Sequence, residues 1–495
     1  MTQLNIADYF LADRLRQGQG DRVALRGAEG TTTYAEVNEL ADSYAAALRE
    51  LGVEPEDRVF VAMPDGPDFV GAFFGILKVG AVVVMVSPAL AEDRVAELFE
   101  HCEPRAVVDS SVDGAFARMS DRFEARLVTP ASRGPADPVE AVARDSRDPA
   151  VWLFSGGTTG VPKAVVQTHG SFVNTTRRYA HETLGYSEDD VTLSVPKLFF
   201  GYATGSNLLF PFSVGASAVL FSEHPTPDVL FELIAVHKPT IMINVPTMIA
   251  AMVGHKAADR QDLSSLRFAT SAGEALPPEL YRSWKATFGV ELLDGLGTAE
   301  MWHIFVTNRL DDVRPGTIGK PVPGFEVKVG DDDGEPVPDG DVGRLWVRGD
   351  SLALGYWNDS NATEEAFRGD WFVGGDLVRI DDDGYFEHHG RADDRLKVGG
   401  KWLAPQEVES CLLEHDAVDA AVVVGVPNEA GLIKPVAFVV AAEPPDGLAD
   451  DLMDWVLERL EPYKHPRRVY VVDEFPTTHL GKVDRTKLKE LAGQS

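Results

Sequence analysis

Between residues 32 and 62 the apolar positions change their period. Val37, Leu40, Ala41, Tyr44, Ala45 and Leu48 recur at three- and four-residue intervals, which predicts a helix after the turn signal in Thr32-Thr33-Tyr34-Ala35-Glu36. Gly52 stops it, and the run Val59-Phe60-Val61-Ala62 reads as a buried strand. The stretch from Val70 to Val86 is apolar but carries Lys78 and three glycines, so it predicts a buried helix passing into a buried strand and not a membrane span. Strand–helix alternation continues through Ala106-Val107-Val108, Ala218-Val219-Leu220-Phe221 and Thr240-Ile241-Met242-Ile243. The pattern predicts an α/β fold with a large N-terminal α/β domain and buried sheets.

From about residue 315 the texture is different. Short alternating runs, Glu326-Val327-Lys328-Val329 and Arg344-Leu345-Trp346-Val347, stand between Asp/Gly/Pro turns and predict a β-rich subdomain over about 315–390. Beyond Gly390 the chain restarts with a strand at Leu396-Lys397-Val398, a helix near Gln406 to Leu413, a strand at Ala420 to Val424 and a helix near Leu448 to Leu460. These elements predict a separate α+β domain of about 100 residues, a common domain size. The expected division is a large domain over 1–392 and a small mobile domain over 393–495.

The chemistry is densest at Ser155-Gly156-Gly157-Thr158-Thr159-Gly160-Val161-Pro162-Lys163, directly after the apolar run Val151-Trp152-Leu153-Phe154. Glycines let backbone N–H groups turn toward an anion, hydroxyls add donors, and a lysine adds a mobile charge, which together make a phosphate cradle. It is not a Walker A loop, because Val161-Pro162 precedes the lysine and Ala164 follows it. Ala164-Val165-Val166-Gln167-Thr168 reads as a second strand, so the loop joins a hairpin. Taken alone, the segment also reads as an ordinary Gly/Thr hairpin loop, and the residues downstream decide between the two.

Those residues are Gly295-Leu296-Gly297-Thr298-Ala299-Glu300, Gly375-Asp376, Gly390-Arg391-Ala392-Asp393-Asp394 and Gly481-Lys482, in that order. With the loop, the set resembles the adenylate-forming superfamily of acyl-CoA synthetases, luciferases and peptide-synthetase adenylation domains, and the resemblance runs from Thr32 to Lys487. It implies activation of a carboxylate by ATP: the acid is joined to AMP, pyrophosphate leaves, and a thiol then takes the acyl group. It implies a phosphate cradle of Ser155, Thr158, Thr159 and Lys163, with Thr298 near the α-phosphate and Glu300 as a Mg²⁺ ligand. Mg²⁺ suits a single carboxylate with phosphate oxygens and water.

Asp376 offers two acceptor oxygens, matching two vicinal ribose hydroxyls, and the resemblance makes it the ribose anchor with Arg391 assisting. Ser271-Ala272-Gly273-Glu274-Ala275 resembles the adenine-side segment, and Gly295 belongs to the nucleotide motifs. Pro476 to Lys482 resembles the segment carrying the adenylation lysine, Lys482, although Leu480 and Thr477 depart from the family pattern. Asp393 takes the hinge position, and Gly399-Gly400-Lys401-Trp402 would meet the pantetheine arm of coenzyme A. The basic residues Lys464, His465, Arg467 and Arg468 read equally well as a CoA phosphate contact or as a solvated turn.

Within the superfamily, Lys197 to Gly205 and Glu300 to Phe305 look most like the benzoate-CoA ligase branch. Phe200, Gly201, Tyr202, His303 and Ile304 can wall a flat, mainly apolar slot for a small aromatic carboxylic acid. No acidic residue stands within Phe199 to Tyr202, which argues against an amino-acid substrate. Gly201 is expected to leave room for a small ring substituent. The alternatives are a short- or medium-chain fatty acyl-CoA synthetase and a nucleotide-binding protein without turnover. The last would keep Asp376 but need neither Lys482 nor Gly399-Gly400.

Composition narrows the partners. Among 495 residues, 78 acidic against 46 basic side chains give a formal charge of -32, which argues against nucleic acid or an anionic membrane as partner. Only 15 of the basic residues are lysine, and acidic turns recur at Asp331-Asp332-Asp333-Gly334 and Asp381-Asp382-Asp383-Gly384. The balance reads as a halophile-like surface. Cys102 and Cys411 have no metal-like spacing and are expected to be buried, and the N-terminal residues lack a secretory pattern. A cytoplasmic enzyme is expected, and the sequence leaves room for a homodimer.

Overall fold

The computed structural model describes residues 3–155, 163–398, 401–415, 417–428, 432–441, 444–476 and 483–493. The fold is α/β, and the chain forms two compact units. The first comprises 1–276, 280–327 and 347–373; the second comprises 277–279, 328–346 and 374–495.

Two sheets organise the first unit. One has six strands among the described residues, in the order Arg126–Val128, Ala106–Asp109, Arg58–Ala62, Val82–Met85, Pro149–Ser155 and Lys163–Thr168. All neighbours are parallel except the last pair, where Ser155 stands opposite Lys163 in an antiparallel hairpin. The short apolar runs read from the sequence are its buried strands. Phe60, Val84 and Val107 pack beneath Val95, Leu98, Phe99 and Cys102 of the helix Glu92–Cys102. The expected helix over the first periodic segment is Tyr34–Glu50, closed by a capping box between Thr33 and Glu36. The apolar stretch after Val70 is the helix Pro67–Lys78 followed by the strand Val82–Met85, both buried, as the sequence predicts.

The other sheet has nine strands among the described residues, from Lys320–Pro321 at one edge to Gly30–Thr33 at the other. Its middle is parallel, with Val191–Ser194, Ile241–Asn244, Phe268–Ser271 and Leu292–Gly297 side by side. At Leu292–Gly297 it turns antiparallel, toward Ile304–Thr307. Chemistry-bearing segments leave the carboxyl ends of these strands, where open parallel sheets present loops to ligands.

In the second unit the strand Ala420–Pro427 pairs antiparallel with Ile433–Val440, which pairs parallel with Val469–Val472. Its residues alternate between two cores. Val423, Ala437 and Val439 face Val408, Leu412, Leu452 and Val456, while Val422, Val424, Val436 and Phe438 pack with Leu488 and Ala492. Both cysteines are buried and unlinked, as expected. Among the described residues no helix is long and apolar enough to cross a membrane.

Candidate functional site

The hairpin Pro149–Ser155/Lys163–Thr168 fixes the two ends of the glycine-rich segment opposite each other. Thr158 and Thr159 lie outside the described residues, as do Gly399, Gly400 and Lys482. On the same strand as Lys163, the fully buried Gln167 donates from Nε2 to the carbonyls of Ala299 at 2.7 Å and Glu300 at 3.1 Å. A segment more than a hundred residues away is thereby pinned to the cradle strand. Ala353 N–H donates to the Glu300 carbonyl at 2.9 Å, and the Tyr356 hydroxyl donates to Glu300 Oε1 at 2.7 Å. Glu300 is buried, and a buried carboxylate needs such a donor. The ammonium of Lys163 lies 4.9 Å from the Tyr356 ring centroid. Lys163 and Glu300, both expected in the phosphate region, are therefore brought to one tyrosine.

The Gly295–Ile304 stretch begins in the strand Leu292–Gly297 and passes through two tight turns. Trp302 N–H donates to Ala299 O at 3.1 Å, and His303 N–H donates to Met301 O at 2.9 Å. Thr298 Oγ1 accepts from Met301 N–H at 3.3 Å. Trp302 takes φ 63°, a costly conformation for a large side chain, and its buried ring holds it there against Phe172 and Phe210.

His303 is buried among the rings of Tyr179, Tyr202, Phe210 and Trp302. Its Nε2 lies 3.1 Å from Tyr202 O and 3.2 Å from Ser206 Oγ. Burial pushes its pKa down to about 4, against the pull of the Tyr202 carbonyl, so the imidazole is neutral at ordinary pH. Gly205 has to be glycine here, since a Cβ would stand 2.5 Å from His303 Cδ2. The Tyr202 hydroxyl pairs with Thr270 Oγ1 at 2.6 Å. Gly201, Tyr202 and His303 thus share one wall, whereas Ile304 enters the sheet beside Gly295 and the Phe200 ring lies tilted at 41° against that of Phe199.

The room expected at Gly201 is absent. A Cβ built there would lie 3.0 Å from Leu153 Cδ1 and 3.4 Å from Cδ2, so a residue of the neighbouring sheet already fills the space. An open groove of about 490 Å³ lies along Val166, Leu354, Tyr356 and Trp357, and none of the expected acyl-wall residues lines it.

The segment Lys197 to Tyr202 is held from below by Asp65, whose carboxylate accepts from Leu198 N–H at 2.9 and 3.2 Å. Burial pushes the Asp65 carboxyl up to about 7, with the Lys197 charge and the Leu198 N–H pulling the other way. Lys197 is correspondingly pushed down to about 8 by burial, opposed by Asp65 and Glu223.

Gly273 takes φ 89°, with no atom within 4 Å of a built Cβ. Its neighbour Glu274 is engaged by Thr247, which donates from N–H at 3.0 Å and from Oγ1 at 2.6 Å. Asp294, opposite Ser271 in the parallel register and directly before Gly295, is a buried carboxyl held well above the usual carboxylate range by desolvation.

In the second unit Asp376 is buried opposite Arg391 in the strand register, and His388 Nε2 lies 3.2 Å from Asp376 Oδ1. A Cβ on Gly375 would sit 2.8 Å from the Arg391 guanidinium. Asp393 is exposed in the short turn Ala392–Asp394. Trp402 is 56% exposed, and Lys401 Nζ lies 4.8 Å from the Tyr463 ring centroid. In the basic cluster Lys464 is already neutralised by Glu407 and Glu461.

Sequence reading missed Leu153, Gln167, Asp65, Asp294 and Tyr356. Asp294 could have been found as the residue preceding Gly295 in the motif. The others act through contacts between segments far apart in the chain, for which no local pattern exists.

Residues 12–357 match the family described as AMP-binding enzyme, and residues 407–482 match the AMP-binding enzyme C-terminal domain. A benzoate–CoA ligase of Thauera aromatica is 39% identical, covering 98% of this chain and 95% of that protein. The crystal structure of a benzoate CoA ligase from Burkholderia xenovorans is 39% identical with a TM-score of 0.90, covering 98% of this chain and 99% of that one. That of an anthranilate CoA ligase in complex with anthranoyl-AMP is 35% identical with a TM-score of 0.93, covering 99% and 98%.

Proposed function

The chain belongs to the AMP-binding enzyme family, and from that premise we propose that it is an ATP-dependent, AMP-forming acid–thiol ligase that makes aryl-CoA from benzoate or a substituted benzoate. The observation that carries the aryl reading is the wall of Gly201, Tyr202 and His303. It presents rings and a neutral imidazole and no fixed charge, as a flat apolar acid requires. A carboxylate oxygen attacks the α-phosphorus and pyrophosphate leaves with the cleaved P–O electrons. The CoA thiolate then attacks the acyl carbon and AMP leaves.

Ser155, Thr158, Thr159 and Lys163 would hold the departing phosphates, Thr298 the α-phosphate, and Gly273, Glu274 and Gly295 the adenine side. Asp376 would accept the two ribose hydroxyls with Arg391 beside it. His388 Nε2 lies against Asp376 Oδ1. Mg²⁺ fits Glu300: one carboxylate oxygen is fixed by Tyr356, and among the described residues no cluster of three His, Cys, Asp or Glu side chains offers a protein cage. Bound there with phosphate oxygens and water, the cation would neutralise charge on the leaving group. Lys482 would serve adenylation. A rotation of 393–495 about Asp393 would then exchange it for Gly399, Gly400, Lys401 and Trp402 at the pantetheine arm, and the C-terminal family match at 407–482 supports that division. ATP and CoA as co-substrates favour the cytoplasm.

The test is pyrophosphate release over benzoate, hydroxy-, amino- and fluorobenzoates and hexanoate, with and without CoA. Benzoate-type acids should lead, and hexanoate leading would overturn the aryl reading. Lys482→Ala should slow adenylation by about 10² to 10³, the scale of one preorganised charge contact, and leave thioester formation from supplied aryl-AMP intact. Gly400→Leu should do the reverse.

A further inference from the structure

The short segment from Ala353 to Trp357 is sewn onto the cradle strand as an extra edge. Leu354 N–H donates to Val166 O at 2.9 Å, Val166 N–H to Gly355 O at 3.0 Å and Trp357 N–H to Ala164 O at 2.9 Å. Val165 and Tyr356 form an antiparallel bridge. Trp357 anchors the far end, its ring 4.7 Å from that of Trp152 and its indole N–H donating to His101 O at 3.2 Å. Tyr356 is therefore carried on a backbone fixed at both sides, and its side chain meets two groups of opposite charge: the Glu300 carboxylate through the hydroxyl and the Lys163 ammonium through the ring.

A lysine and a glutamate this close to a common neighbour would ordinarily pair. Among the described residues no Lys163–Glu300 ion pair forms. A direct pair would be self-defeating, because each charge would be cancelled before phosphate or cation arrived. An aromatic face holds an ammonium without neutralising it, and a phenol donates to a carboxylate without carrying charge away.

We infer that Tyr356 is a positioning residue for adenylation: it keeps Lys163 and Glu300 apart and aligned, the hydroxyl fixing one carboxylate oxygen so that the other faces the cation, and the ring holding the ammonium in place for the departing phosphates. This rests on the reading of Glu300 as the Mg²⁺ ligand and Lys163 as a phosphate ligand. Partners that orient a metal ligand typically change metal affinity by about 10- to 100-fold when removed.

The experiment is binding of ATP to the full chain, measured calorimetrically without any carboxylic acid, over a range of Mg²⁺ concentrations. It is run for wild type, Tyr356→Phe, Tyr356→Leu and Glu300→Gln, with the Tm of each. Tyr356→Phe keeps the ring and should raise the Mg²⁺ needed for half-maximal ATP binding about tenfold. Its ATP affinity at saturating Mg²⁺ should stay nearly unchanged, while its Tm falls by a few degrees because the buried Glu300 carboxylate loses its donor. Tyr356→Leu should weaken ATP binding at saturating Mg²⁺ as well. A merely structural tyrosine would lower Tm without moving the Mg²⁺ midpoint. If Glu300→Gln shifts the midpoint and Tyr356→Phe does not, the positioning role is wrong while the metal reading stands. If neither shifts it, Glu300 is not the ligand and both fall.

Discussion

Gly201 and Leu153 act as one unit: the glycine is small because a leucine methyl stands where its side chain would go. Ring tolerance should therefore be set by Leu153. Leu153→Ala should raise kcat/KM for substituted benzoates relative to benzoate by roughly 10- to 200-fold, the usual worth of a methylene-sized mismatch. Gly201→Ala should push Leu153 toward the slot and shift the ratio the other way. A steady-state comparison of benzoate with its hydroxy and amino analogues checks both. Asp65 is a second residue whose environment matters more than its identity. An unfolded aspartate loses its proton near pH 4, whereas Asp65 keeps it to about 7. Between those values the folded state holds the extra proton, so this group's contribution is full below about pH 4 and is lost as pH rises to 7. Asp65→Asn retains an acceptor for Leu198 N–H and has no charge to bury. Its Tm relative to wild type should improve between pH 5 and pH 8, and a constant difference across that range would contradict the assignment.

The helices Tyr34–Glu50 and Pro67–Lys78 show how far local pattern reaches. The apolar period and the Thr33-x-x-Glu36 start specify the first helix, and the capping box appears where those residues place it. The closeness of the pair is written in Gly71 and Gly75: a Cβ at Gly75 would stand 2.7 Å from Tyr44 Cβ and 2.8 Å from Ala41 O. Gly75→Ala should cost about 1–3 kcal/mol of overpacking and lower Tm by several degrees. The ratio of kcat/KM between acids should stay unchanged, and thermal unfolding alongside that ratio measures both. Strands bounded by turn residues were equally legible, including the hairpin that frames the glycine-rich segment. The π-helical stretches Thr176–Leu184 and Gly205–Leu209 were not, because an i→i+5 bond leaves no period in apolar positions. Nor was the edge added by Ala353 to Trp357, since a single bridge to Val165 depends on register and carries no hydrophobic alternation.

At the scale of the whole chain, ordered motifs made the reaction class legible while the contacts tuning it stayed hidden. Lys163, Glu300 and Asp376 announce themselves by their neighbours in sequence, but Gln167, Tyr356 and His388 bear on them only through folding. Charge is the property that composition gives outright. Exposed pairs such as Arg118–Glu92 and Arg94–Glu97 add little to stability and weaken in salt. A net charge of -32 repels across the molecule, and shortening the screening length from about 30 Å at 0.01 M to about 3 Å at 1 M removes that repulsion. Repulsion should dominate, so Tm should rise substantially from dilute buffer to molar KCl. A flat response with full activity in dilute buffer would mean that the acidity is no adaptation to salt.

The contact between Trp152 and Trp357 also gives the molecule an optical signature. Two indoles 4.7 Å apart and inclined at 38° couple their electronic transitions, and the Arg58 guanidinium 5.3 Å from the Trp357 ring perturbs one of them. Such a pair yields a split circular-dichroism band that vanishes when the rings part. Because Trp357 ends the strip of chain that bears Tyr356, the protein carries its own unlabelled reporter of whether that strip stays seated while nucleotide comes and goes.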